Sequence, residues 1–221
     1  ESYLVKVLGD LFKGSNPTVS TCVKGSFIDL SITAKAEDEQ AARRAIDEME
    51  RTLRKYIDEY IFGIDDDTLP GVVGQILARQ GYSLAVAEEL SGGHLAQMLL
   101  ENPLSAGIFA GGMVLRRQGQ GMPGLSERLL RPTDVPEPEA AKYLASTFRQ
   151  LTGSNIGMAV LGPTAQELQE RTRTTVTVAI DLEDEVSTEE LWLWDTRNQV
   201  AVCAAEMALF SLWRLLKRQV V

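Results

Sequence analysis

The stretch "YSLAVAEELSGG", Tyr82 to Gly93, decides the fold. Its first half is a mostly apolar run of strand length. A polar turn and the paired Gly92-Gly93 then break the run, and a helix is predicted from about His94. A strand that feeds a helix through a glycine turn is the repeating unit of an α/β domain.

Working outward, the same alternation continues. Upstream, Asp67 or Thr68 caps a preceding helix, with Pro70 accommodated in its first turn. Downstream, the apolar segment Ala106 to Leu115 reads as a strand. Proline-rich "RPTDVPEPE" leads to a helix whose buried side is predicted to carry Tyr143, Leu144, Phe148 and Leu151. "IGMAVLGP", "TTVTVAIDL" and "ELWLW" read as three further strands, and a largely apolar helix starts near Thr196.

The first 65 residues have a different grammar. Leu4, Val7, Leu8 and Leu11 have helical spacing. "TVSTCVKGSFIDLSITA" reads as a hairpin turning at Lys24-Gly25-Ser26, because Ile28, Leu30 and Ile32 alternate with polar residues. A helix is predicted from about Glu37, with Ala42, Ile46, Met49, Leu53 and Ile57 on one face. The acidic run Asp65-Asp66-Asp67 marks a junction. The predicted organisation is therefore a small unit, 1–65, and a larger α/β domain, 66–221.

Composition narrows the function classes. A chain of 221 residues can bury a sizeable core. Its net charge of -9 argues against broad binding to nucleic acid or anionic membrane, which need a cationic face. Two cysteines, Cys22 and Cys203, supply neither a disulfide framework nor a cysteine-rich metal site. No uninterrupted apolar run of membrane-spanning length and no signal-peptide grammar are read, so a cytoplasmic location is expected. Starting at Glu1 without methionine, the sequence reads as a piece of a longer chain.

Candidate sites are few. "LRRQGQGMPG", Leu115 to Gly124, satisfies G-x-G-x-x-G, but Pro123 interrupts it and no second strand ends near Asp134, so it reads as a loop. "AEELSGG" is the better phosphate candidate, since Ser91 can cap the helix and Gly92-Gly93 let backbone amides approach an anion. The rival reading is an ordinary close-packed turn. His94 is the only histidine, without partners for a metal. Trp192, Trp194 and Trp213 read as core or interface anchors. Carboxylate pairs such as Glu88-Glu89 read as capping or solvated groups rather than an acid-base pair.

These segments together resemble the CinA family of competence/damage-inducible proteins over nearly the whole chain. "GSNPTVSTCVKGSFIDLSITAKAEDE" is similar to its KH-like middle domain, and "YIFGIDDDTLPGVVGQILARQGYSLAVAEELSGG" to the start of its carboxy-terminal domain. The resemblance implies a three-layer α/β domain preceded by a small α+β KH-like one. Active members carry nicotinamide mononucleotide deamidase activity there, and their molybdopterin-binding-like domain precedes the segment matched here. They read Ala-Glu-Ser-Cys-Thr-Gly-Gly where this chain has Ala87 to Gly93, so Glu88, Gly92 and Gly93 match, Ser91 replaces threonine and Glu89 replaces serine. A later Gly-Ser-Ser supplies the proposed nucleophile, and Tyr-Ser-Asn-Glu-x-Lys the groups that activate it.

Counted without gaps, the nucleophile position is Ala106, the tyrosine position Arg116 and the lysine position Gly121. Ser105, one residue away, is expected to point to the opposite face of a strand. Gly162 and Pro163 keep a pocket motif whose glycine-rich remainder has become "TAQELQER", and Arg197 matches a family arginine. The resemblance thus implies a non-catalytic binding, regulatory or scaffolding module. Its remaining nucleotide or anion pocket is expected from Glu88, Ser91, Gly92, Gly93, Gly162, Pro163, Thr164 and Arg197, with Arg116 as a new cation. The alternative is an amidohydrolase using displaced groups, Ser105 or Ser91. No cofactor, no metal and a homodimer are expected. RNA binding by the KH-like unit is disfavoured because no G-x-x-G clamp lies between its helices.

Overall fold

The computed structural model describes residues 2–115, 132, 135–163, 171–183 and 185–219. The chain forms two compact units, Glu1–Ile64 and Asp65–Val221.

In the first unit, helix α1 (Ser2–Leu8) is followed by a short 3-10 turn and the hairpin β1 (Thr18–Lys24) and β2 (Phe27–Thr33). Lys24 pairs with Phe27, so the turn is the two residues Gly25-Ser26. Gly25 has φ 59°, the left-handed conformation that such tight hairpin turns require. Helix α2 (Glu39–Ile57) starts two residues later than expected because Asp38 caps it, its carboxylate accepting from Ala41 N at 2.7 Å. Leu53 and Ile57 of α2 close a small core with Leu8 and Val19. Leu8, Leu53 and Ile57 are apolar positions that the periodicity assigns to the inner faces; Val19 joins them from β1.

The second unit contains α3 (Leu69–Gln80), β3 (Leu84–Glu88), α4 (His94–Glu101), α5 (Pro103–Ala106), β4 (Phe109–Val114), α6 (Glu137–Thr152), β5 (Ile156–Leu161), β6 (Arg171–Leu182), β7 (Glu185–Thr196) and α7 (Arg197–Gln219). Thr68 rather than Asp67 caps α3, its hydroxyl accepting from Gly71 N at 3.3 Å. The sheet order is β4-β3-β5-β6-β7. β3 runs parallel to both β4 and β5, whereas β5, β6 and β7 are antiparallel.

Strand alternation sorts the layers. Ala85 and Ala87, Ala159 and Leu161, and Ala179 face α6, meeting its Ala140, Ala141, Leu144, Ala145 and Phe148. Small side chains on both surfaces bring helix and sheet close. At Gly157 an added Cβ would lie 2.0 Å from the Ala145 carbonyl oxygen, so no other residue fits there without moving α6. Half-buried Arg149 of α6 also pairs with buried Asp181 of β6 at 3.0 Å. The opposite face is covered by α7 with α3 and α4.

Several expectations change. Tyr143 and Leu151 are exposed, 39% and 60%, because the inner stripe of α6 runs through Ala140, Ala141, Leu144, Ala145 and Phe148. Ser105 and Ala106 lie on the one-turn helix α5, not on a strand, so the pleat argument for Ser105 does not apply. Asn102 caps that turn, accepting from Leu104 N at 2.9 Å, and Pro103 follows at its first position. Trp213 is buried and stacked on Phe210, but Trp192 and Trp194 are largely exposed. Within α7 the stretch Gln199–Gln219 is long and apolar enough to cross a bilayer by composition, and 56% of it is buried inside the protein. That burial accounts for its apolarity as a core helix.

Candidate functional site

The connection leaving β3 goes to β4 on one side, and the connection leaving β4 returns to β5 on the other side of β3. The carboxyl end of β3 is therefore a topological switch point, where open α/β sheets leave a crevice for ligands. Three segments converge there: Glu89–Gly93 after β3, Leu115 after β4, and Gly162-Pro163 after β5. Backbone bonds hold the edge together, Leu115 N donating to Glu88 O at 2.6 Å and Glu89 N to Val160 O at 3.0 Å.

Glu88 dominates this edge. As the last residue of β3 it points to the α4 side and is 1% exposed. One carboxylate oxygen accepts from Gly93 N and Leu95 N, both at 3.0 Å, and the other from Ala96 N at 2.8 Å. His94 N donates to Ser91 O at 3.1 Å. The amides of the first turn of α4 are thus all engaged by the protein. Gly92 and Gly93 have φ 61° and 101°, which bends the chain back so that these amides reach Glu88. The positive end of the helix dipole and a buried carboxylate stabilise one another. The sequence leaves this helix end either to a ligand anion or to an ordinary close-packed turn; in the structure its amides are taken by Glu88.

The rest of the turn is packed. Leu90 is buried, and a Cβ on Gly162 would lie 2.8 Å from its side chain, so Gly162 is the space into which Leu90 fits. Leu90 went unnoticed in the sequence, although a large apolar residue in a polar glycine turn signals such a contact. The Ser91 hydroxyl is fully buried without a hydrogen-bond partner. Glu89 is 9% exposed and stands at the mouth of the three segments. Arg116, Gly121 and Thr164 lie outside the described residues; Arg197 opens α7, with its side chain also outside them.

Ser105 and Ala106 belong elsewhere. α4 runs back from the carboxyl edge, and α5 leads into Phe109, which pairs with Leu84 at the amino end of β3. Glu88 pairs with Val114 at the other end. Five strand steps, about 16 Å, separate those edges. Ala106 thus lies on α5, on the side of the sheet where β4 begins. Ser105 is no substitute: it is buried, and its hydroxyl donates to Leu99 O at 2.6 Å with Asn102 O at 3.3 Å. Glu89 stands where the resembling motif has its other serine. Among the described residues no cluster of three or more His, Cys, Asp or Glu side chains suits a metal ion.

Comparison with known proteins gives the same architecture. Residues 1–63 match the damage-inducible protein CinA KH domain, and residues 66–216 match the CinA C-terminal domain. A Moorella thermoacetica protein named as competence-damage inducible is 33% identical over 99% of this chain and 54% of its own length. A CinA-like protein of Thermomicrobium roseum is 32% identical over 75% of this chain and 39% of its own. The chain thus spans about half the length of the curated relatives it matches. CinA superfamily structures from Klebsiella pneumoniae and Escherichia coli each share 21% identity at TM-score 0.54. They cover 68% and 72% of this chain, and 96% and 98% of their own chains, respectively. With both domain models matched in order along the chain, it belongs to the CinA family, carrying a small KH-like domain followed by a CinA C-terminal domain.

Proposed function

We propose that the carboxy-terminal domain is a non-catalytic member of the CinA deamidase-type domains, acting as a binding, regulatory or scaffolding module. The observation that carries this reading is the set of residues at the positions that the resemblance assigns to catalysis, Ala106, Arg116 and Gly121, where active members are expected to keep serine, tyrosine and lysine. Alanine offers no nucleophile at the serine position. Arginine stays protonated and glycine has no side chain, so neither replaces the activating pair. Because Glu88 already occupies the α4 amides, a bound nucleotide or other anion must take its charge contacts from cations such as Arg116 or Arg197.

The test is turnover of nicotinamide mononucleotide by this chain, beside an active family member assayed at equal concentration. No release of ammonia above the buffer blank is expected. Turnover comparable to the active member's would sink the proposal. A second reading, an amidohydrolase with a displaced nucleophile, is favoured by one observation, the unpartnered hydroxyl of Ser91. It requires measurable turnover that is abolished in Ser91→Ala.

A further inference from the structure

We infer that the cleft between α7 and the β6–β7 hairpin binds a small carboxylate of the size of butyrate. The cleft has a volume of about 220 Å³, and its lining includes Ile180 of β6, Ser187 and Glu189 of β7, and Arg214, Leu215 and Arg218 of α7. It lies apart from the switch-point edge. β5 and β6 stand between β3 and β7, which sets those two strands about 14 Å apart.

Sequence spacing brings these groups together. Arg214 and Arg218 are four residues apart, about 6 Å along α7 and on the same face. Alternation along β7 turns Ser187 and Glu189 toward α7. Glu189 reaches the helix: its Oε2 accepts from the Ser211 hydroxyl at 2.8 Å and its Oε1 from Arg214 Nη1 at 3.4 Å. Among the described residues that long contact is the only hydrogen bond of the Arg214 guanidinium, and Arg218 has none. Arg214 Nε is buried without an acceptor, a state that buried donors rarely keep. A guanidinium carries several N–H donors, so most of the donating capacity of this pair is unused.

Charge and volume choose the ligand. Two guanidiniums against the Glu189 carboxylate leave the cleft with a net positive charge, in a chain whose net charge is -9. A monoanion balances it, and a guanidinium fork fits the two oxygens of a carboxylate. Inorganic phosphate carries more charge near neutral pH and is repelled by Glu189. At about 30 Å³ for each water, the volume equals that of roughly seven waters, room for a carboxylate on a short apolar stem. Leu215 and Ile180 give that stem an apolar wall.

Titrating the 221-residue chain with sodium butyrate, against sodium chloride at equal ionic strength, and following its amide NMR signals tests this. The expected result is a saturable shift of amides 187–189 and 211–218, with a Kd of roughly 1 mM for so small a ligand. Acetate lacks two of the methylenes and should bind about fivefold to fifteenfold more weakly. Sodium phosphate should also bind more weakly than butyrate. Arg218→Gln, at an exposed position, should weaken butyrate about threefold to tenfold while leaving the thermal midpoint unchanged. Absence of a saturable shift up to roughly 20 mM would overturn the inference. So would shifts centred outside those two segments, equal affinity for acetate and butyrate, tighter binding of phosphate, or undiminished binding by Arg218→Gln.

Discussion

Replacing Glu88 by glutamine tests whether this carboxylate builds the switch-point turn. The change is nearly isosteric and removes only the charge. Three backbone amides now point at the carboxylate, at 3.0, 3.0 and 2.8 Å. A glutamine oxygen can accept two of them as neutral bonds, while its NH₂ group confronts the third. Hydrogen bonds to a charged group contribute about 1.5–3 kcal/mol each, against about 1 for neutral ones, and a buried amide left without an acceptor costs about 1–3. Loss of charge on two bonds and orphaning of one amide sum to about 3–5 kcal/mol, a large share of the ~5–15 kcal/mol that holds a domain together. The assay is urea unfolding followed by tryptophan fluorescence. Trp192, Trp194 and Trp213 all lie in the Asp65–Val221 unit, so the signal reports that unit alone. With m of about 1–3 kcal/mol/M, the midpoint should fall by roughly 1–5 M. Hydrogen exchange at Gly93, Leu95 and Ala96 should accelerate in step. A loss below about 1 kcal/mol, with those amides still protected, would refute the argument, because the turn would then hold itself without the charge.

Two further substitutions probe the other side of the sheet. Arg149→Ala leaves Asp181, whose side chain is 2% exposed, without its guanidinium partner at 3.0 Å. Stability should fall by about 3–5 kcal/mol in the same unfolding assay, the cost of removing one partner of a buried ion pair. Gly157→Ala drives a methyl group to 2.0 Å from the Ala145 carbonyl, so α6 has to shift, at a cost of at least ~3 kcal/mol. Gly107→Ala, where a Cβ meets nothing within 4 Å, is the control and should change the midpoint little.

The legible parts of this sequence are those in which local signals and burial agree. Thr68 with Pro70, the Gly25 turn and the apolar run into Gly92-Gly93 each fix an element by themselves. Errors arose where tertiary packing chose between equivalent local readings. α6 has apolar residues on more than one face, and the small-residue surface of the sheet selected its alanines over Tyr143 and Leu151. α5 was missed although Asn102-Pro103 is a cap followed by proline at the first helical position, because a four-residue helix shows no periodicity. That omission mattered: reading Ala106 into the strand hid the fact that it stands at the opposite end of the sheet from Glu88.

The glycine turn carries the wider lesson. Strand, paired glycines and helix read as an anion cradle because free amides and the helix dipole attract negative charge. The same amides serve an internal anion equally well when the strand ends in a carboxylate long enough to reach them. Glu88 is such a residue, 1% exposed and bonded to three of those amides. Discriminating the two cases requires knowing which face of β3 position 88 occupies. The alternation supplies that parity: with Ala85 and Ala87 toward α6, Glu88 falls on the α4 side and Glu89 follows at the mouth. An acid at the last strand position, on the parity of the following helix, therefore argues for an internally capped turn.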